Sequence, residues 1–186
     1  KGEVYYALPK AGIIQISGDL KTTKLLDTAP VVRDNNQHNT LIWYADNGTP
    51  YLAFPSNDAG LVSTTTLDGK LVYSLGAPTP NDDLGAAAPN EYFKKPENKF
   101  IPTDVEELGG LYYIATGYSA LDYVLTAKIS FDPFQAKWNN LSFGGKGDGV
   151  GQFGTGHGIT VPKGKKRIDV ADRPHSEIDR FTPEGK

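Results

Sequence analysis

Residues 151–181 read GQFGTGHGITVPKGKKRIDVADRPHSEIDRF and hold two of the three histidines in the chain, His157 and His175, beside Asp172 and Arg173. Glycines and charged side chains at this density suit three kinds of structure: a phosphate cradle, a metal site around His157, or one unit of a repeat protein. Gly149-Val150-Gly151-Gln152-Phe153-Gly154 matches the dinucleotide pattern G-x-G-x-x-G. That pattern grips a pyrophosphate only when a strand leads in and a helix N-terminus follows. Here GITVPKG follows, a strand closed by Pro162 and Gly164, so the glycines read as a loop between structural units. The chain has no cysteine, which excludes thiolate zinc sites and disulfide staples. Asp172 is expected to accept backbone N–H groups at a tight corner, and His175 to face solvent from the loop that follows.

The elements that must position these residues are short strands. No segment keeps the i, i+3, i+4, i+7 apolar spacing of a helix for three turns, and 21 glycines and 13 prolines interrupt the chain. Runs rich in β-branched and aromatic residues recur instead: EVYYAL (3–8), GIIQIS (12–17), TLIWYA (40–45), PYLAFP (50–55), GLVSTTT (60–66), KLVYSL (70–75), LYYIAT (111–116), LDYVLTAKIS (121–130), GITVP (158–162), RIDVA (167–171) and SEIDRF (176–181). Asn47-Gly48, Asp68-Gly69 and Gly109-Gly110 sit where hairpin turns need positive φ.

Four stretches share one layout: a turn glycine, a strand ending on a small residue (Ala7, Ala53, Ala115 or Ala171), a polar corner and a second strand. A unit of this kind recurring roughly every 40 to 60 residues signals a propeller. The fold expected is therefore all-β: one β-propeller domain over residues 1–186, with four-stranded blades at about 1–35, 36–80, 100–142 and 143–186 and a long inter-blade loop over 77–99. A compact β-sandwich is the alternative. TLIWYA, PTDVEE and GITVP supply innermost strands to the second, third and fourth units, whereas the first unit has none. The final residues, FTPEGK, read as the finish of an outer strand, so nothing remains to complete the first unit. These blades are accordingly expected to form part of a larger ring of about six.

Composition narrows the partners. A formal charge of −3, from 19 basic and 22 acidic residues, with one short basic run at 163–167, gives no electrostatic footprint for nucleic acid. No stretch approaches the roughly 20 apolar residues of a membrane span, so no membrane partner is expected. The absence of methionine, even at position 1, predicts a chain that begins after a removed segment or inside a longer protein. With zero cysteines, this composition is compatible with a secreted or periplasmic location.

From Phe143 onward, FGGKGDGVGQFGTGHGITVPKGKKRIDVADRPHSEIDRFTPEG resembles the NHL repeat: a glycine-rich lead-in, G-x-F, a histidine–glycine pair, V-A-D-R and a closing strand. With FIPTDVEELGGLYYIATGYSALDYVLTAKI (100–129) added, roughly residues 36–186 resemble the catalytic domain of the peptidyl-α-hydroxyglycine α-amidating lyases. The resemblance implies a six-bladed propeller that cleaves the N–C bond of a C-terminal α-hydroxyglycine, leaving a peptide amide and glyoxylate. It also implies zinc held by three histidines near a central channel. Carried over, it makes His38 and His157 zinc ligands and Tyr118 and Arg173 catalytic, and it places the third histidine in a blade beyond residue 186. Thr116 stands where the family's corner has aspartate. Three imidazoles leave zinc one open position, a phenol can take a hydroxyl proton, and a guanidinium can pair with a carboxylate. The partner implied is a peptide or small molecule in the channel. Two other readings stay open: a non-catalytic extracellular propeller serving as a protein-binding or self-assembly module, and a propeller lactonase whose site holds calcium.

Overall fold

The computed structural model describes residues 2–186. Lys1, the first residue of the first expected blade, lies outside the described residues. Four open antiparallel sheets follow one another along the chain. Sheet one pairs β1 (Val4–Leu8), β2 (Gly12–Ile16) and β3 (Thr23–Leu25) in that order. A one-turn helix, α1 (Pro30–Arg33), leads to sheet two: β4 (Leu41–Tyr44), β5 (Pro50–Ser56), β6 (Leu61–Thr65) and β7 (Leu71–Leu75). Residues 77–99 are not all loop, because α2 (Ala87–Tyr92) forms there. Ala87 and Ala88 favour helix, and Pro89 sits in the first turn, where its missing N–H forfeits no helical bond. Sheet three contains β8 (Asp104–Leu108), β9 (Leu111–Ala115), β10 (Tyr123–Ser130) and β11 (Gln135–Gly144). Sheet four contains β12 (Gly156–Thr160), β13 (Ile168–Asp172) and β14 (Glu177–Phe181).

The period of two along each strand sends neighbouring side chains to opposite faces, and in the middle sheets both faces are covered. In β5, Leu52 and Phe54 enter a core with Ile13, Leu26 and Val32 beside sheet one, whereas Ala53 enters the core shared with sheet three. In β9, Tyr112 and Ile114 face sheet two, while Tyr113 and Ala115 join Phe153, Ile168 and Val170 from sheet four and the loop before it. Three cores thus join sheets one to two, two to three and three to four. Sheet one's far face is bare. Val4, Tyr6, Leu8 and Leu25, whose positions cross-pair with Ile16, Ile14 and Gly12, are each between 38% and 55% exposed.

The hairpin glycines Gly48, Gly69, Gly109 and Gly110 all have positive φ. The expected innermost strands are β4, β8 and β12, each at an edge of its sheet, and β8 lies against both of the others. Two details differ from the sequence reading. A ten-residue strand, β11, runs through QAKWNNLSFG, where Trp138, Asn139 and Asn140 interrupt any apolar alternation. The closing FTPEGK is not strand beyond Phe181: the Thr182 N–H donates to the Lys186 carbonyl at 2.7 Å, turning the end back on itself. Among the described residues no helix is long and apolar enough to cross a membrane.

Candidate functional site

His38 lies just ahead of the edge strand β4, and His157 lies within the edge strand β12. Gln37 bridges Ser56, and the His38 N–H donates to the Pro55 carbonyl at 2.8 Å, just ahead of β4. Between that bridge and the Leu41–Ala53 pair, the His38 side has one residue more than the side opposite. In β12 the pairing steps from Gly156–Asp172 to Gly158–Ala171, which leaves His157 as the extra residue of a bulge. Bulges re-aim a side chain away from the regular pleat. Tyr118 comes from the turn between β9 and β10, and Arg173 from the turn between β13 and β14.

These four side chains meet. The rings of His38 and His157 are 4.7 Å apart between centroids, and Tyr118 packs edge-on against them at 5.2 and 5.1 Å. Tyr118 Oη lies 2.8 Å from His157 Nε2, and Arg173 Nη1 donates to the same Oη at 3.2 Å. A guanidinium can only donate, so the tyrosine oxygen accepts from Arg173; with neutral His157 protonated on Nδ1, the tyrosine gives its own proton to His157 Nε2. Burial, reinforced by His38 and Arg173 nearby, holds His157 below the usual histidine range and keeps it neutral at pH 7. His38 Nδ1 is 2.8 Å from the Thr103 carbonyl oxygen. Since a carbonyl only accepts, the His38 proton is on Nδ1 and its lone pair is on Nε2.

Sequence reasoning missed the residues that hold this geometry. β12 is an edge strand, and side chains from sheet three bind its backbone on either side of the bulge. Asp122 Oδ1 accepts the Gly156 N–H at 2.9 Å, the Thr103 hydroxyl donates to the His157 carbonyl at 2.9 Å, and Asp104 Oδ2 accepts the Ile159 N–H at 2.8 Å. Burial pushes both carboxyls up, while these N–H bonds favour the ionised form. Thr116, at the position of the family's aspartate, closes its corner differently, donating from Oγ1 to the Tyr123 carbonyl at 2.8 Å and accepting the Tyr123 N–H at 3.0 Å. The turn bearing Tyr118 also approaches β12 closely: a Cβ on Gly117 would lie 2.4 Å from the Gly156 carbonyl oxygen.

The second corner is built from Asp172 and His175. Buried Asp172 accepts the N–H groups of Gly154 and Thr155 at 2.7 and 3.0 Å, the structural task expected of it. Burial alone would raise its pKa, yet those N–H groups and His175 hold it below the ordinary carboxylate range. His175 does not simply face solvent. Its Nδ1 is 2.8 Å from Asp172 and its Nε2 3.0 Å from Asp148, and both acceptors are carboxylates. Both contacts are hydrogen bonds only when the ring is protonated on both nitrogens, and the Asp148 bond, followed by Asp172, raises the His175 pKa.

The donor set suits zinc at two positions. A ligating imidazole usually gives its other N–H to a carbonyl, as His38 does, and uses the remaining lone pair for the metal. His157 offers Nε2 under competition from Tyr118. Among the described residues, the three-residue group able to approach one ion is Asp172, His175 and Glu177, whose members already serve the corner. A cavity of about 390 Å³ opens along β12 and β13, lined by Asp104, Gly158, Ile159, Thr160, Asp169, Ala171 and Ile178, and none of the four site residues lines it. No protein-family model matches this chain, and no curated protein matches it, so its function must be read from these residues.

Proposed function

We propose that the chain is part of an NHL-type β-propeller with a site of the peptidyl-α-hydroxyglycine amidating-lyase kind, in a secreted or periplasmic setting. The observation that carries this reading is the meeting of His38, Tyr118, His157 and Arg173, which three different sheets contribute. His38 and His157 would hold zinc through Nε2, with a further ligand from outside this set. Bound there, the ion would supply Lewis-acid polarisation of a substrate oxygen.

The chain's own residues account for the remaining chemistry. Were zinc bound through His157 Nε2, that lone pair would no longer accept from Tyr118, whose oxygen would keep its bond from Arg173. Once the phenol has given up its own proton to solvent, its oxygen can take the proton of a substrate hydroxyl and pass it to the departing nitrogen. As that hydroxyl becomes the carbonyl of glyoxylate, the C–N bond breaks and its electron pair stays on nitrogen, which takes up a proton to become the amide. No oxidant or reductant is needed. Arg173 is exposed enough to meet the substrate carboxylate in the bidentate manner of guanidinium groups.

The test is metal analysis of the purified, zinc-reconstituted protein together with glyoxylate release from a peptidyl-α-hydroxyglycine. Stoichiometric zinc and released glyoxylate are expected; a protein that takes up no zinc removes the lyase reading. One observation favours the second reading, a binding or assembly module. Val4, Tyr6, Leu8 and Leu25 form an exposed apolar face beside β1, which is an edge strand among the described residues and carries no charge or proline between Val4 and Leu8. Under that reading the four site residues serve only to join sheets.

A further inference from the structure

Thr103 immediately precedes β8, much as His38 precedes β4, and it is fully buried between the two histidine-bearing strands. Its N–H donates to the Ala115 carbonyl at 2.9 Å, which ties it to its own sheet. Its carbonyl accepts the His38 Nδ1 proton at 2.8 Å. Its hydroxyl carries one proton and has two acceptors in reach, the His157 carbonyl at 2.9 Å and the Ala115 carbonyl at 3.3 Å. The nearer one is the bulge residue of β12. The extra residue of a bulge is left out of the ladder, so its carbonyl needs a partner from elsewhere.

We propose that Thr103 is the positioning residue of the site: its peptide carbonyl sets the tautomer of His38, and its hydroxyl holds the bulge that aims His157. One residue in the intervening sheet therefore fixes both imidazoles, the first through its backbone and the second through its side chain. Asp104 and Asp122 secure the N–H groups of Ile159 and Gly156 on either side, but neither touches the His157 carbonyl. Among the described residues the Thr103 hydroxyl is the side-chain donor to that carbonyl; without it the bulge can relax toward regular pairing, which rotates the imidazole off Tyr118 Oη. The two imidazoles therefore respond differently to loss of the side chain. A merely structural threonine would disturb both or neither.

This inference rests on the proposed metal site only where metal affinity is concerned, and its main test is metal-free. Long-range proton–nitrogen NMR of the imidazoles, at a pH well above the histidine range, reports each tautomer and each ring's hydrogen bonding. In the unaltered protein, His38 is expected to be protonated on Nδ1, with the buried Thr103 hydroxyl proton giving its own slowly exchanging resonance. Thr103→Val should leave the His38 tautomer in place, shift the His157 signals to those of an unbonded ring, and weaken zinc binding about tenfold. Thr103→Ser, which keeps the hydroxyl, should restore both signals and affinity. A His38 proton found on Nε2, or His157 signals unchanged in Thr103→Val, overturns the proposal. If Thr103→Val does not fold, the hydroxyl resonance of the unaltered protein decides, since its absence is also contrary. A protein that binds no zinc, but shows these ring signals, loses the lyase reading and keeps the role of Thr103.

Discussion

His157 and His175 stand 18 positions apart in one sheet, and their surroundings shift their pKa values in opposite directions. His157 is partly buried among another imidazole, a phenol and a guanidinium, and is kept neutral. His175 is bracketed by two carboxylates with Glu177 at 3.9 Å, and its pKa is raised by them. The difference separates a ring whose neutral form is favoured from one whose protonated form is favoured. Under the proposed function the first would do chemistry while the second fastens a corner, although both are histidines beside conspicuous loop residues in the sequence.

The largest effect should come from deleting the neutral ring. His157→Ala is expected to abolish zinc retention and glyoxylate release while changing unfolding stability by no more than about 1 kcal/mol, because the ring is partly exposed; urea unfolding beside metal analysis checks both. Next, Tyr118→Phe removes the proton-accepting oxygen yet leaves both imidazoles, so kcat should fall about 100-fold with zinc retained. Equal loss of zinc in this variant would mean that the phenol shapes the site rather than acting in it. On the fastening side, Asp172→Ala strands the N–H groups of Gly154 and Thr155 and should cost about 2–3 kcal/mol in denaturant unfolding, with a secondary loss of activity through Arg173.

The smallest effect separates the histidines by pH alone. Because the folded pKa of His175 is raised, its stabilisation is complete below the unfolded value of about 6.5 and is lost as pH rises through the folded value. His157 is depressed, so its contribution is present above about 6.5 and is lost as pH falls through the folded value. Replacing each in turn with glutamine and following stability against pH should flatten opposite flanks of the profile. If both variants flatten the same flank, the assigned charge states are wrong.

The strands were legible because β-branched and aromatic runs between turn glycines need no tertiary context to be recognised. β11 was not, since an edge strand tolerates the polar Asn139-Asn140 pair that hides its period. The four site residues were found by resemblance to a repeat whose inner-strand starts and corners recur in order, and spacing along the chain alone does not single them out. Thr103, Asp104 and Asp122 escaped because each acts on a strand 34 to 55 residues away, leaving no local mark in P-T-D-V or L-D-Y. The ion-pair contacts of His175 escaped for a related reason: Asp148, which raises its pKa, comes from a separate glycine-rich loop.

The missing methyl group at Gly117 sets the clearance between the turn that bears Tyr118 and the strand that bears His157. A side chain there would meet the Gly156 carbonyl oxygen at 2.4 Å, so one sheet would have to lift from the other. A displacement of about 1 Å is enough to cost roughly 100-fold in a reaction that depends on near-attack geometry. Gly117→Ala is thus a calibrated spacer: it alters no group with acid–base or ligand chemistry, and it measures how finely the distance between phenol and imidazole must be kept.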